Sequence, residues 1–72
     1  MPETKPQLRR LMHIDTMIRE GERRGKLHNA KTLAREYGEV SEKTIQRDLE
    51  FLRDTFRAPI AYDKRAHGYY FT

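Results

Sequence analysis

Seventy-two residues without a cysteine allow one domain at most, with an apolar core near the lower limit for a stable fold and no disulfide or usual structural zinc site to reinforce it. Apolar and charged residues each make up 36% of the chain, a polar but patterned composition that points to a small folded unit and away from disorder. The net charge of +4 and a pI near 9.7 suit a polyanionic partner, because Lys and Arg contacts to phosphates release condensed counterions. Apolar runs are too short to cross a bilayer, and Met1 to Arg10 lacks the apolar centre of a secretion signal. The expectation is a cytoplasmic, nucleoid-associated prokaryotic protein with no membrane partner.

Thr4-Lys5-Pro6-Gln7 opens the first helix: Thr4 caps it, Pro6 sits in the first turn where its missing N–H is tolerated, and Gln7 completes a capping box. This helix is expected over about residues 5–20, with Leu8, Leu11, Ile14 and Ile18 on one face and Arg9, Arg10 and Arg19 mostly off it. Gly21-Glu22-Arg23-Arg24-Gly25-Lys26 then reads as a basic, mobile loop bracketed by glycines. Asp15 lies at the edge of the apolar face, where an unpaired carboxylate is costly, and an ion pair with Arg47 or Arg53 is expected.

A second helix is expected over about residues 30–38, capped by Asn29, with Ala30, Leu33, Ala34 and Tyr37 on one stripe and Lys31 and Arg35 facing out. Gly38 supplies the left-handed conformation that closes it. Glu39-Val40 then leads straight to Ser41, a joint so tight that the flanking helices must cross. That is the helix-turn-helix arrangement, with Val40 packed between the helices.

Ser41 caps a third helix over about residues 42–56, its hydroxyl positioned to accept from the unpaired N–H groups of the first turn. At 100° per residue Ile45, Leu49, Leu52 and Phe56 fall within a stripe of about 60°. Lys43 and Arg47 point the opposite way, flanked by Thr44 and Gln46. One exposed turn and a half therefore offers an ammonium, a guanidinium, a hydroxyl and an amide, the groups that read base edges. Glu50 and Asp54 make the later exposed side hostile to phosphates, so only the first half of this helix suits a polyanion.

After Phe56 the period changes. Pro59 cannot continue a helix and biases Ala58 toward extended backbone. Ile60-Ala61-Tyr62 and Tyr69-Tyr70-Phe71 are β-prone runs around the six-residue loop Asp63-Lys64-Arg65-Ala66-His67-Gly68, giving a hairpin over about residues 60–71 with a basic tip. The expected fold is mainly α with a small β-hairpin, a three-helix winged helix-turn-helix filling residues 1–72 as one domain.

Leu33-Ala34-Arg35-Glu36-Tyr37, the run from Val40 to Asp54, Ala58-Pro59-Ile60-Ala61-Tyr62-Asp63 and Gly68-Tyr69-Tyr70-Phe71 occur in order at suitable spacing. Together they resemble the N-terminal domain of WYL-domain transcriptional regulators, close to DeoR-type repressor domains, over essentially the whole chain after its first few residues. The resemblance implies an operator-binding domain whose relatives continue into a linker, a ligand-sensing WYL domain and a dimerising tail. It also implies regulation, with repression as its direction. Against that pattern Gly38-Glu39 adds one residue to the turn, which bears on the angle of the third helix. The expectation is that the chain is an excised domain and not a stand-alone protein.

In helix-turn-helix geometry the first turns of the third helix enter the major groove, where Arg reads guanine and Gln reads adenine. Arg47, Lys43 and Gln46 are therefore the expected base contacts, and Ser41 and Thr44 the phosphate contacts, through hydroxyl or N–H. Lys31 is placed to pin the flanking backbone, and Lys64, Arg65 and His67 to reach the minor groove or a phosphate. The competing readings are ordinary ones: a solvated helix face, a cap, a surface lysine. Tyr62, Tyr69, Tyr70 and Phe71 are expected to seal the wing against the helices, and Phe51 either packs under the wing or marks a subunit contact. His13, His28 and His67 have no metal-ligand spacing, no cofactor is implied, and no Ser/His/Asp or clustered-carboxylate arrangement suggests an enzyme.

The function expected is sequence-specific binding of double-stranded DNA, by a homodimer on an inverted repeat in the functional protein, the isolated chain being compatible with a monomer. The alternative is a winged-helix protein-interaction module without DNA binding. Its mark would be an exposed apolar patch, for which only Phe51 and Met17 are candidates.

Overall fold

Why each helix stops where it does explains most of this architecture. The computed structural model describes residues 6–38 and 40–72, so the expected Thr4 cap and Glu39 of the turn lie outside the described residues. Helix α1 spans Pro6–Arg24, α2 Ala30–Tyr37 and α3 Glu42–Thr55, followed by strands β1, Ile60–Asp63, and β2, Gly68–Phe71. The chain is a mainly α, three-helix winged helix-turn-helix: α2 packs on α3, and the antiparallel hairpin packs through β2 on α1.

Helix α1 is a full turn longer than its pattern suggests, because the second glycine terminates it and not the first. Gly25 takes φ +72°, its N–H donates to the Glu22 carbonyl at 3.1 Å, and the Lys26 N–H returns to the Gly21 carbonyl at 2.8 Å. These are the two bonds of a Schellman cap, with the left-handed residue at Gly25. Gly21 is buried inside the helix, where an added Cβ would sit 2.9 Å from the Lys26 carbonyl oxygen. The stretch expected to be a mobile loop is therefore helix to Arg24, and its Glu22 side chain reaches the wing.

Helix α2 follows its pattern closely. The Asn29 carboxamide accepts from the Thr32 N–H at 2.8 Å while the Thr32 hydroxyl accepts from the Asn29 N–H at 2.9 Å, a reciprocal capping box. Gly38, at φ +99°, closes the helix by donating to the Ala34 carbonyl. Ser41 caps α3 as expected, its hydroxyl accepting from the Thr44 N–H at 3.2 Å.

The core is Ile14, Met17, Ile18, Ala30, Leu33, Ala34, Ile45, Leu49 and Ile60, with Val40, Leu52, Ala58, Tyr69 and Phe71 packed against it. Leu11 is also buried. Two expected core residues are displaced: Leu8 and Phe56 are exposed, Phe56 because it is the C-cap residue where the chain turns away. Met17, read as an exposed candidate, is buried instead.

The hairpin pairs Ile60 with Phe71 and Asp63 with Gly68, so the expected wing limits hold but its loop is four residues and not six. The Asp63 carboxylate holds that tight tip, accepting from the N–H groups of Arg65 at 2.8 Å and Ala66 at 3.1 Å. The wing is also tied to the helices by its backbone. Tyr69 donates to the His28 carbonyl at 2.7 Å, forming an isolated bridge between β2 and the α1–α2 connection. Gly68 permits that approach, since a Cβ there would lie 2.3 Å from Leu27 Cβ. The backbone N–H of Phe71 donates to Glu22 Oε2 at 3.1 Å, and the Arg19 guanidinium sits 4.6 Å from the Phe71 ring centre.

Candidate nucleic-acid interface

Helix α3 carries charge on two faces in different ways. Asp48 is buried beside Ile45 and Leu49, where it accepts two hydrogen bonds from the Arg10 guanidinium, that from Nη2 at 3.1 Å and a second from Nε. The hydrogen bond from Arg10 to Asp48 raises the Arg10 pKa further above its already high ordinary value, against a smaller opposing contribution from burial. Asp15, expected to pair with Arg47 or Arg53, instead bonds Arg19 one turn on at 3.1 Å on the exposed side of α1. That leaves Arg47 and Arg53 outside any ion pair among the described residues.

On the outer face Lys43, Gln46 and Arg47 are exposed. With Lys31 they make no side-chain hydrogen bond or ion pair among the described residues. Ser41 and Thr44 differ: their hydroxyls lie 3.1 Å apart at the start of α3, and Ser41 is also engaged as the cap. Their capacity for a phosphate is thus partly used within the helix. The wing places Lys64, Arg65 and His67 on an exposed tip, where His67 adopts φ +55° to complete the turn into Gly68.

Between these elements runs a shallow groove. It is lined by Asn29, Ala30 and Lys31 at the start of α2, Glu42 and Gln46 on α3, and Tyr62 and Tyr69 of the wing. Of the nine residues singled out from sequence, Lys31 and Gln46 meet in this groove; Lys43 and Arg47 lie on the outer face of α3, and the three wing residues on the tip. Glu42 and Tyr62 were missed. Glu42 stood in the sequence only as the first helical residue, although its spacing of four from Gln46 puts both on one side of α3. Tyr62 was assigned to sealing the wing, yet it is 45% exposed and meets Tyr69 edge-on, ring centres 4.9 Å apart. Tyr69 and Phe71 are the wing aromatics that do pack on the core. Tyr69 is half-buried, and burial, with smaller contributions from Tyr62, Glu42 and Glu50, pushes its phenol above the ordinary tyrosine value.

The remaining histidines have structural surroundings. His13 meets Tyr37 edge-on at 5.2 Å, and His28 is half-buried with Nδ1 3.2 Å from the Thr32 hydroxyl. No group of three metal-ligating side chains occurs among the described residues, and no helix among them is long and apolar enough to cross a membrane. No protein-family model, curated protein or solved structure matches this chain.

Proposed function

We propose that this domain binds double-stranded DNA sequence-specifically, with the first two turns of α3 in the major groove and the basic wing on the flanking groove or backbone. The observation that carries this reading is the surface shared by Lys31, Gln46 and the wing tyrosines, next to Lys43 and Arg47, which have no partner among the described residues. Three separate elements contribute to it. Exposed amide and guanidinium groups without partners among the described residues suit base edges, while Lys31 and the wing cations suit phosphates. The resemblance to WYL-domain regulators extends the reading to a cytoplasmic prokaryotic transcriptional regulator, a repressor, acting as a homodimer on an inverted repeat.

Selection from random duplex DNA, with binding repeated at two salt concentrations, tests this directly. A consensus, together with affinity that falls steeply as salt rises, is the expected result. Absence of any consensus would remove the specific-binding claim.

A second reading, docking onto another protein, is favoured by one observation. Leu8, Met12, Phe51 and Phe56 are exposed, and Phe51 and Phe56 stack edge-on at 5.6 Å. That is more apolar surface than the sequence pattern suggested. Binding to a protein partner undiminished at high salt, with no shift of any duplex, would favour it.

A further inference from the structure

Glu42 is the anomaly of this surface. It is an exposed carboxylate on the first turn of α3, among Lys31, Gln46 and the Tyr62–Tyr69 pair, and close enough to Tyr69 to contribute to the raised pKa of that phenol. Neither Glu42 nor Gln46 makes a side-chain hydrogen bond or ion pair among the described residues, whereas Asn29 in the same groove is occupied as the α2 cap. A carboxylate at a helix start gains something from the helix dipole, which is the purely structural explanation for it. In a surface that meets phosphates, however, the same charge is repelled by the ligand.

Chemistry narrows what an unpaired carboxylate can do there. At neutral pH it only accepts hydrogen bonds. In the major groove the only donors are exocyclic amines, N4 of cytosine and N6 of adenine. Guanine and thymine edges offer it only acceptors or a methyl group. Gln46 lies four residues beyond Glu42, a rise of about 6 Å against about 3.4 Å per base pair, so the two side chains address base pairs one to two steps apart.

We propose that Glu42 is a specificity-determining residue that selects a cytosine or adenine amine in the operator, with Gln46 reading a base pair one to two steps away. The proposal rests on the DNA-binding reading above. Glu42 supplies selectivity at some cost in general affinity, because its charge opposes every sequence and is compensated only where an amine meets it.

The test compares selections from random duplex DNA by the full chain, by Glu42→Ala and by Glu42→Gln, with direct titrations of the wild-type consensus and of a random duplex. The expected result for Glu42→Ala is loss of preference at one C·G or A·T pair, with discrimination there falling about tenfold, the rest of the consensus retained and affinity for random duplex increased. Glu42→Gln, which can also donate, should accept guanine or thymine at that position. Thermal melts of both variants separate this from a dipole role, which would lower stability without changing base preference. A wild-type consensus reproduced unchanged by Glu42→Ala overturns this inference and leaves the DNA-binding reading standing. Failure of the wild-type chain to select any sequence overturns both.

Discussion

The inner and outer faces of α3 hold polar groups under opposite conditions. On the inner face Asp48 is 1% exposed and held by Arg10 across the α1–α3 contact. On the outer face Lys43, Gln46 and Arg47 stand in water without partners among the described residues. A buried carboxylate is tolerable only with a partner, so Asp48 is committed to holding α3 against α1. The outer groups have no partner among the described residues, which leaves them open to bind something else. Mutations on the two faces should therefore separate cleanly into effects on stability and effects on recognition.

The largest expected effect is on the inner face. Arg10→Met strands the Asp48 carboxylate and should cost about 3–5 kcal/mol. A 72-residue domain has a total stability of about 4–11 kcal/mol, so the melting temperature should fall by about 15 °C or more. Combining Arg10→Met with Asp48→Leu removes the stranded charge and should recover most of that loss. A small effect of Arg10→Met alone would show that Asp48 reaches water and that the two faces differ less than described.

Next comes the seat of the wing. Gly68→Ala would bring a Cβ to 2.3 Å from Leu27 Cβ and 2.8 Å from the Leu27 carbonyl carbon. Backbone must move to relieve this, at about 1–3 kcal/mol by denaturant titration. The smallest effect belongs to the wing tip, where Lys64→Ala should leave stability within about 0.5 kcal/mol. It should weaken binding to all duplexes alike and reduce the salt slope by about 1. Selective loss for one sequence would move Lys64 from phosphate contact to base reading.

Much of this was legible in the sequence because it is local. Asn29, Gly38 and Ser41 announce helix ends through interactions spanning a few residues, and the β-prone runs after Pro59 announce the wing. What escaped depends on contacts distant in sequence. Asp48 falls about 60° from Ile45 on the helical wheel, so it widens the buried stripe only if a cation 38 residues away can reach it. Gly21 and Gly25 look equivalent in a charged stretch, and it is the left-handed backbone of Gly25, with the Lys26 N–H returning to the Gly21 carbonyl, that ends α1. Gly68 read as a turn glycine, whereas its absent side chain admits Leu27.

The candidate site was legible in part for the same reason. The outer residues of α3 follow from helical spacing alone, but the groove that joins Lys31 and Gln46 to Tyr62 requires the wing to dock beside two helix starts.

The most direct test of recognition by the outer face is Arg47→Ala, assayed for discrimination between the selected consensus and random duplex at two salt concentrations. The expected result is a loss of about 1–3 kcal/mol in specific binding, with the melting temperature essentially unchanged. Unaltered discrimination by a folded Arg47→Ala protein would contradict base reading by this face of α3.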